Sequence, residues 1–423
     1  MKAGFIFILF SIFAAVLQAR PTKVSVLFIG NSYTAVNNLP LLVDSIASAA
    51  GDTLEWDMAA PGGYTFALHS ADVNTLAKIH QRSWDYVVLQ EQSQLPSFEP
   101  ASVDSTTIPF ALFLDSVIHA SNACTQTVFY ETWGRKYGDA ANCAFYPPVC
   151  TYAGMQQRLL ESYKLMADTC HGIVAPVGEA FRNCIAYDST VNLYQSDFSH
   201  PSLQGSFLAA SVFYNIFFHR SAAGNSYNPG TLQLTPGQFH LLARETVSDS
   251  LNFWNLGIFE PWAEFAWTEA PGCVAEFSGN SNLNFNHLWD FGDSTTSSDP
   301  NPVHHYLYSG YYPVIHVVYD SCSSDTFLLT NNMLCNGASV DDFHSVQFQL
   351  FPSPANDQLV IARSDESKVF LKIFNAFGQL MVQGQYTGSL IHVPVASLPA
   401  GIYYLRIADG YDLFSSRKFI VAR

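Results

Sequence analysis

The sequence predicts an α/β domain with a parallel sheet, followed by two all-β sandwich domains. Up to about Ile258, continuous apolar runs alternate with amphipathic segments, which is typical of parallel strands covered by helices on both faces. After about Pro261 the helical periodicity disappears, and short alternating runs separated by Gly, Asn, Ser and Asp take over. A break near residues 335–345 divides this second part into two units.

Five strands are predicted in the first segment, and several of them end in polar residues. Their sequences are "KVSVLFIG" (23–30), "LEWDMAAPGGYT" (54–65), "WDYVVLQEQSQ" (84–94), "TQTVFYETWGRKYGD" (125–139) and "GIVAPVGEAF" (172–181). The predicted helices are "NNLPLLVDSIASAAG" (37–51), "IPFALFLDSVIHASNA" (108–123), "AGMQQRLLESYKLMADTC" (153–170) and "HPSLQGSFLAASVFYNIFFH" (200–219). Because helices connect the strands, the strands run parallel and their carboxyl ends meet at one edge, where sites form in such sheets.

The amino-terminal residues predict an exported protein. Lys2 is followed by an apolar stretch over residues 5–17 and by small residues near Ala19, which predicts a signal peptide over residues 1–19. The rest of the chain contains no stretch that predicts a transmembrane segment. The net charge of −16 argues against a nucleic-acid partner, because binding to phosphates needs clustered Lys and Arg.

Eight cysteines are disulfide candidates in the oxidising compartment that an exported protein enters. The segment "NCAFYPPVC" predicts a local pair between Cys143 and Cys150, and the remaining connectivity stays open. No cysteine or histidine spacing resembles a zinc site, so neither a metal nor a cofactor is expected.

Two short segments carry the candidate chemistry. Ser32 stands where the first strand turns into a helix, a corner at which several hydrolases present a nucleophile. Asp197 and His200 stand three residues apart before the last predicted helix, so that the carboxylate can orient the imidazole and the imidazole can activate a serine. The alternative is that both segments only cap the helices that follow them.

Together these segments resemble the SGNH (GDSL-like) hydrolase family, over residues 24–218 and by extension 24–258. "FIGNSYT" resembles the nucleophile block, with Asn31 where most members carry Asp. "APGGYT" resembles the glycine block and "SDFSHPS" the Asp-x-x-His block, in the same order. The resemblance implies a flavodoxin-like three-layer fold and ester hydrolysis with Ser32 as nucleophile, His200 as general base and Asp197 as its orienting partner.

The third block departs from the family pattern, which usually provides an Asn donor to the oxyanion. Here "LQEQSQ" stands in its place. We expect Gln92, or else Gln90, to complete an oxyanion hole with the N–H groups of Ser32 and Gly63. The alternative is that these glutamines only fix neighbouring loops. Residues predicted to line a substrate pocket are Asn31, Trp133 and Arg135, the last as a partner for a sugar acid or carboxylate.

The two β domains each resemble a known module. "HLWDFGDSTTSSDPNPVHHYLYSGYYPVIHVVYD", within residues 262–338, resembles the PKD immunoglobulin-like domain, which implies a spacer or a weak contact module. "FQLFPSPANDQLVI", "LKIFNAFGQLMVQG" and "VASLPAGIYYLRI", within residues 346–423, resemble the C-terminal sorting domain of the type IX secretion system. That resemblance implies the secretion machinery as a partner and release or attachment at the outer-membrane surface. A third sandwich for substrate binding is the alternative.

These observations predict a secreted serine esterase with its hydrolase-like domain over residues 23–258. The expected substrate is an acylated carbohydrate, and an O-acetylesterase is preferred by family analogy alone. One alternative is an inactive glycan-binding or adhesin protein on the same scaffold, which the altered third block favours. Another is a lipase or thioesterase that acts on longer acyl chains.

Overall fold

The computed structural model describes residues 23–282, 284–333, 348–363, 366–375, 380–408 and 414–422. The signal peptide predicted over residues 1–19 lies outside these ranges. The chain divides into two compact units, with the boundary after residue 337. The first unit holds both the α/β domain and the first β sandwich, so these two predicted domains form one body.

A parallel five-stranded sheet lies at the centre of the α/β domain. Its strands are β1 (Lys23–Ile29), β2 (Thr53–Ala59), β3 (Tyr86–Leu89), β4 (Gln126–Glu131) and β5 (Ile173–Pro176). Their order in the sheet is β2-β1-β3-β4-β5, which is the order of the flavodoxin-like fold that the family resemblance implied. The strand order reverses between β1 and β3, so the crevice beyond the ends of these two strands is the expected position of a site.

Ten helices cover the sheet in the described part of this domain. They are α1 (Ser32–Ala35), α2 (Leu39–Ala49), α3 (Phe66–Ala71), α4 (Val73–Ile79), α5 (Pro100–Thr106), α6 (Ile108–Ser121), α7 (Tyr152–Thr169), α8 (Val177–Tyr187), α9 (Leu203–Phe218) and α10 (Pro236–Ser248). Short 3-10 turns occur at Val36–Asn38, Leu95–Ser97, Pro147–Cys150 and Leu251–Trp254.

Helix α9 is buried on all sides, which explains why its sequence is apolar around its whole circumference. Its Phe213 ring packs edge-on against Phe28 of β1 at 5.6 Å between centroids. Ser202 caps the helix by accepting a hydrogen bond from Gly205 N–H. The helix therefore begins three residues after His200 and packs against strand β1, which ends three residues before Ser32.

The fifth predicted strand is too long. It ends at Pro176, and Val177 begins helix α8, although the sequence predicted extended structure through Phe181. The buried Glu131 carboxylate accepts a hydrogen bond from Glu179 N–H at 3.0 Å in the first turn of this helix. A hydrogen-bond acceptor at a helix amino terminus satisfies an N–H group that has no partner within the helix, and a short apolar run alone does not distinguish helix from strand.

One helical stretch of the described residues, Pro100–Ser121, is long and apolar enough to cross a membrane by length and composition, at a mean hydropathy of 1.2. The sequence had predicted no such segment beyond the signal peptide. The stretch consists of α5 and α6, which meet at Thr107. Helix α6 buries Ala111, Leu114 and Ile118 in the core of the α/β domain.

The first sandwich packs two antiparallel sheets. One has the order β10-β7-β6 and the other β12-β11-β8-β9. The strands are β6 (Phe265–Ala270), β7 (Val274–Gly279), β8 (Asn286–Asp290), β9 (Thr296–Ser297), β10 (Val303–His305), β11 (Gly310–Tyr319) and β12 (Ser324–Met333). Trp289 and Phe291 are buried in its core with Phe265, Phe277 and Tyr306, and this sandwich is therefore built around an aromatic centre.

The second unit is another sandwich with its own core. Its sheets have the orders β13-β14-β17 and β16-β15-β18-β19. The strands are β13 (Phe348–Phe351), β14 (Gln358–Arg363), β15 (Val369–Asn375), β16 (Leu380–Tyr386), β17 (Leu390–Pro394), β18 (Gly401–Ala408) and β19 (Phe414–Val421). Alternate residues such as Leu359, Ile361, Leu371 and Ile373 point into the core, as a half-buried strand pattern requires.

A disulfide joins the α/β domain to the first sandwich. Cys124, just before β4, is bonded to Cys322, which lies in the turn between β11 and β12. The predicted pair between Cys143 and Cys150 is also formed, and Cys273 is disulfide-bonded as well. Cys170 and Cys184 are buried thiols.

A buried histidine joins the same two domains. His219, at the carboxyl end of α9, contacts the Glu260 carboxylate at 3.1 Å and the Asp325 carboxylate of β12 at 3.3 Å. Its ring stacks on Trp262 at 4.5 Å between centroids. Burial alone would lower the pKa of His219, but the two carboxylates outweigh it and raise the pKa to about 10. The imidazolium is therefore the form that this junction binds.

We predict that removal of the Cys124–Cys322 disulfide destabilises the first unit more than removal of Cys143–Cys150. The first bond closes a loop of 198 residues and the second a loop of 7, and a longer loop restricts the unfolded chain more. The Cys124→Ser/Cys322→Ser variant should lose about 2–4 kcal/mol of unfolding free energy in urea titrations. A larger loss in Cys143→Ser/Cys150→Ser would contradict the prediction.

We also predict that stability falls between about pH 6.5 and pH 10. The raised pKa of His219 means that its contribution is complete below the pKa of the unfolded chain and is lost as the pH rises through the folded value. Melting temperatures measured from pH 6 to 10.5 should show a smaller decline for His219→Gln than for the parent protein. The matched control is His80→Gln at an exposed position, and equal declines in all three proteins would refute the assignment.

Candidate active site

The turn after β1 presents Ser32 at the carboxyl edge of the sheet. Asn31 caps helix α1 because its Oδ1 accepts a hydrogen bond from Tyr33 N–H at 3.2 Å. Its Nδ2 donates to Tyr64 O at 2.9 Å, and the residue is buried. Asn31 thus makes the cap, which leaves the Ser32 hydroxyl free for another partner. The prediction that Asn31 lines a substrate pocket is wrong, since its amide is occupied inside the protein.

The partner of Ser32 is His200. Ser32 Oγ lies 2.8 Å from His200 Nε2, although the two residues are 168 positions apart. On the other side of the ring, His200 Nδ1 is hydrogen-bonded to Asp197 Oδ2. The side chains of His200 and Asp197 are 32% and 46% exposed, so the group can be reached from solvent. The structure therefore brings the three predicted residues together in the order Ser–His–Asp.

The Asp197 carboxylate also fixes the loop that carries it. Its Oδ1 accepts hydrogen bonds from Ser199 N–H and His200 N–H, both at 3.0 Å. Partial burial tends to raise the pKa of Asp197, but the hydrogen bonds from His200 and from the two N–H groups outweigh this and lower the pKa. Asp197 is therefore a carboxylate that accepts a hydrogen bond from His200 Nδ1, and this bond orients His200 Nε2 toward Ser32.

Two aromatic residues hold the loop of Asp197 and His200 through Ser199. Tyr33 Oη is hydrogen-bonded to Ser199 Oγ at 2.7 Å, and Trp133 Nε1 donates to Ser199 O at 2.9 Å. The two rings stack on each other at 4.7 Å between centroids. Trp133 is fully buried, so the prediction that it lines a substrate pocket is wrong. Its indole instead holds Ser199, one of the two residues between Asp197 and His200.

Gln90 is also not available as an oxyanion donor. It is fully buried at the end of β3, and its Oε1 accepts hydrogen bonds from Asn31 N–H and Thr34 Oγ1, both at 2.9 Å. Its Nε2 donates to Glu91 O. For Gln90 the alternative interpretation, a glutamine that only fixes neighbouring loops, agrees with the structure, because its amide fixes the turn around Ser32. Gly30 is needed beside it, since a Cβ there would lie 2.7 Å from Gln90 Oε1.

Gln92 turns toward its own loop. Its Nε2 donates to Gln94 Oε1 at 3.2 Å and its Oε1 accepts from Gln94 N–H at 2.8 Å. Gly63 lies in an exposed turn with φ +74°, and Asn31 Nδ2 holds the next residue of this turn, Tyr64. Ser32 N–H is the first of helix α1 and has no acceptor within the helix. These two backbone N–H groups remain the predicted oxyanion donors.

Two buried residues that the sequence analysis did not select also hold the site. His69 Nε2 contacts Gly30 O at 2.8 Å, and its Nδ1 contacts Thr75 Oγ1 at 2.9 Å. Because a carbonyl only accepts, the proton lies on Nε2, and burial lowers the pKa of His69 so that the ring is neutral. The turn before Ser32 is therefore fixed by a donor from helix α3.

Glu91 is the second buried residue that holds the site and that the sequence analysis did not select. Its carboxylate accepts hydrogen bonds from Gln92 N–H at 2.6 Å and from Phe66 N–H at 3.0 Å, so that it ties the end of β3 to the glycine turn. Burial raises the pKa of Glu91 to about 7, and the two N–H groups only partly offset this. Its position in the polar string "LQEQSQ" was the available sequence signal.

Arg135 pairs with a buried aspartate. Its guanidinium contacts Asp139 Oδ1 at 3.3 Å, and Gln94 Nε2 donates to the other oxygen of the same carboxylate at 2.6 Å. This pairing holds the loop after β4, and contact of Arg135 with a substrate acid stays a prediction. Among the described residues no group of three His, Cys, Asp or Glu side chains could hold a metal ion.

A cavity of about 720 Å³ lies at the opposite edge of the sheet. It is lined by residues at the amino ends of strands, such as Lys23 and Gln126, and by the Cys124–Cys322 bond. A strand of seven residues spans about 23 Å, so this cavity does not belong to the Ser32 site.

Comparisons with known proteins match the carboxyl-terminal unit to a family. Residues 349–422 match the family described as "Secretion system C-terminal sorting domain". The predicted sorting domain of type IX secretion is confirmed, and the chain is exported and then released or attached to the surface. A search of curated proteins found no match.

The chain is also similar to several solved structures. An SGNH hydrolase from Slackia heliotrinireducens is 28% identical, with 46% of this chain and 98% of that chain covered and a TM-score of 0.38. A DUF4886 family protein from Bacteroides uniformis is 16% identical, with 54% and 95% covered and a TM-score of 0.44. The PKD1 domain of the Vibrio cholerae metalloprotease PrtV is 29% identical, with 16% and 91% covered and a TM-score of 0.15.

We predict that Glu91→Gln changes how stability depends on pH. Because the pKa of Glu91 is raised to about 7, burial of its charged form costs free energy that is absent below about pH 4.5 and complete above pH 7. We therefore compare the unfolding free energy of the variant with that of the parent protein at two pH values. The difference, variant minus parent, should be about 2–3 kcal/mol larger at pH 8 than at pH 5. Urea titrations at both pH values, with exposed Glu245→Gln as control, test this; an equal gain in the control would contradict it.

Proposed function

We propose that this chain is an exported serine ester hydrolase. The observation that carries the proposal is the contact of 2.8 Å between Ser32 Oγ and His200 Nε2, with Asp197 bonded to the other ring nitrogen. A serine needs a base within hydrogen-bond reach, and the base needs a partner that fixes its tautomer. The three side chains meet both conditions at an edge of the sheet that substrate can reach.

In this mechanism His200 takes the proton of Ser32 Oγ as that oxygen bonds to the ester carbonyl carbon. Asp197 holds the proton on Nδ1 and stabilises the imidazolium that forms. When the tetrahedral intermediate collapses, the bond to the alcohol oxygen breaks and His200 returns the proton to that oxygen. Water, deprotonated by His200, then attacks the acyl-enzyme, and the acid and free Ser32 are regenerated.

The negative oxygen of the intermediate would be stabilised by backbone donors. Ser32 N–H and Gly63 N–H are the groups that we assign to this role, with Gln92 as a side-chain candidate that must first leave Gln94. Loss of one such donor typically costs about 10²–10³-fold in turnover. Gln90 and Asn31 support these donors indirectly, because their hydrogen bonds fix the turn that carries Ser32.

For the substrate we favour an acyl group, most simply acetyl, on a carbohydrate. Export past the outer membrane places the site among extracellular polymers, and the exposure of His200 and Asp197 suits a large alcohol part. The alternative enzyme is a lipase or thioesterase that acts on longer acyl chains. Rates measured on esters of increasing acyl length distinguish the two.

A glycan-binding protein without catalysis is the candidate from another class. It is favoured by one observation, that the amide N–H groups of Gln90 and Gln92, the candidate oxyanion donors, both donate within their own loops. The alignment of Ser32, His200 and Asp197 favours the enzyme, because binding alone does not need it.

We predict that Ser32→Ala abolishes ester hydrolysis. The purified protein should hydrolyse aryl acetates and acetylated xylan, and the variant should be slower by at least about 10³-fold because the nucleophile is lost. Ser105→Ala, an exposed helical serine, is the matched control and should keep the full rate. If parent and variant show the same negligible rate on short esters, long esters and acetylated glycans, the catalytic proposal fails and the binding protein leads.

A further inference from the structure

The loop between Asp197 and His200 carries an aromatic side chain that folding does not explain. Phe198 is 45% exposed, and its backbone has φ +59°. This left-handed conformation is costly for a bulky residue, and an exposed phenyl ring gains little from burial. Strained residues of this kind are concentrated at functional sites, where the surrounding structure enforces them.

Hydrogen bonds fix the backbone on both sides of this ring. Phe198 N–H donates to Gln195 O at 3.0 Å, and Phe198 O accepts from Lys136 N–H at 3.0 Å. The loop after β4, which contains Lys136, is therefore joined directly to the loop of His200. Phe198 is two residues from His200, so the same short loop carries the phenyl ring and the proposed general base.

A second exposed ring extends the surface. Tyr137 is 65% exposed, and its ring meets Phe198 at 4.9 Å between centroids with the planes inclined by 69°. The ammonium group of Lys136 lies 5.9 Å from the centre of each ring. We name these three residues, Lys136, Tyr137 and Phe198, the aromatic platform.

The platform is held by a rigid support. Gly138, next to Tyr137, has φ +76°, and a Cβ there would lie 2.5 Å from the backbone of Cys150. The turn thus packs directly on the loop closed by the Cys143–Cys150 disulfide. Asp139 N–H donates to Val149 O at 2.7 Å across the same contact. Tyr137 therefore lies on a fixed loop, so that binding of a ligand costs little conformational entropy in this loop.

We propose that the aromatic platform binds a sugar ring of the substrate, next to the residue whose ester reacts at Ser32. The C–H face of a pyranose packs on an exposed aromatic ring, and the Lys136 ammonium can donate hydrogen bonds to its hydroxyls. The two rings and the ammonium group form one contiguous exposed surface, and contiguous exposed apolar surface is typical of ligand sites, whereas single exposed rings are common. The inference rests on the proposed ester hydrolysis and adds where the carbohydrate is held.

The composition of the platform favours a sugar over an acyl chain. Both rings and Lys136 are open to solvent. A long acyl chain needs an enclosed apolar wall, and an ammonium group beside it would have to lose water without a partner. A pyranose satisfies the ammonium and leaves the surface open for further units of a polymer.

The test compares two substrates in Tyr137→Ala. Acetylated xylo-oligosaccharides engage the platform through a sugar ring, whereas ethyl acetate carries no ring. The ratio of kcat/KM for the oligosaccharide to that for ethyl acetate should fall about 3- to 10-fold through a higher KM, as expected for one lost ring contact. Tyr137→Phe, which keeps the ring, should restore the ratio. Tyr311→Ala is the control, because Tyr311 is 63% exposed in the first sandwich.

Other outcomes are decisive as well. An unchanged ratio in Tyr137→Ala overturns the proposal, and so does a selective loss on octanoate esters, which would assign the platform to acyl chains. If the parent protein hydrolyses no ester, the proposed function fails separately. Titration calorimetry with deacetylated xylo-oligosaccharides then tests the platform alone: weaker binding by Tyr137→Ala than by Tyr311→Ala supports it, and equal or absent binding by all proteins overturns it.

Discussion

The contact between Ser32 and His200 joins two loops that are 168 residues apart, and much of the α/β domain keeps these loops in place. On one side, His69 and Gln90 hold the turn of Ser32 from within the core. On the other side, Tyr33 and Trp133 hold the loop of His200 through Ser199. The hydrogen-bond distance at the surface is therefore set by buried groups that do not touch substrate.

These supports are polar, and further hydrogen bonds inside the domain hold them in turn. The buried Glu131 carboxylate at the end of β4 accepts from Gln156 Nε2, and Gln156 Oε1 in turn accepts from Gly134 N–H beside Trp133. Burial raises the pKa of Glu131 well above its usual range. Such a network costs stability relative to an apolar core but specifies one arrangement, because any slip leaves a buried donor or acceptor unpaired.

The sequence was most informative where a pattern is local or periodic. The alternation of apolar runs with helices predicted a parallel sheet covered by helices, and the spacing of Asp197 and His200 predicted their pairing. The order of the strands did not follow from this alternation, and only the family resemblance implied a flavodoxin-like fold. It failed for Trp133 and Gln90, because polar residues at strand ends can point into the core as readily as into the crevice, and spacing does not decide which. It also missed helix α10, although Thr235 and Gln238 form the capping box that marks its start. The first five residues of helix α8, Val177 to Phe181, were mistaken for strand because they continue the apolar run of β5.

The disulfide between Cys124 and Cys322 imposes an order of events on biogenesis. Cys124 lies just before the fourth strand of the sheet, yet its partner arrives only after nearly two hundred further residues have crossed into an oxidising compartment. The hydrolase-like domain therefore cannot complete its covalent structure before the following sandwich has emerged. Once this bond has formed, the secretion machinery that recognises the tail receives the two domains as one cross-linked cargo rather than as two separate bodies on a flexible chain.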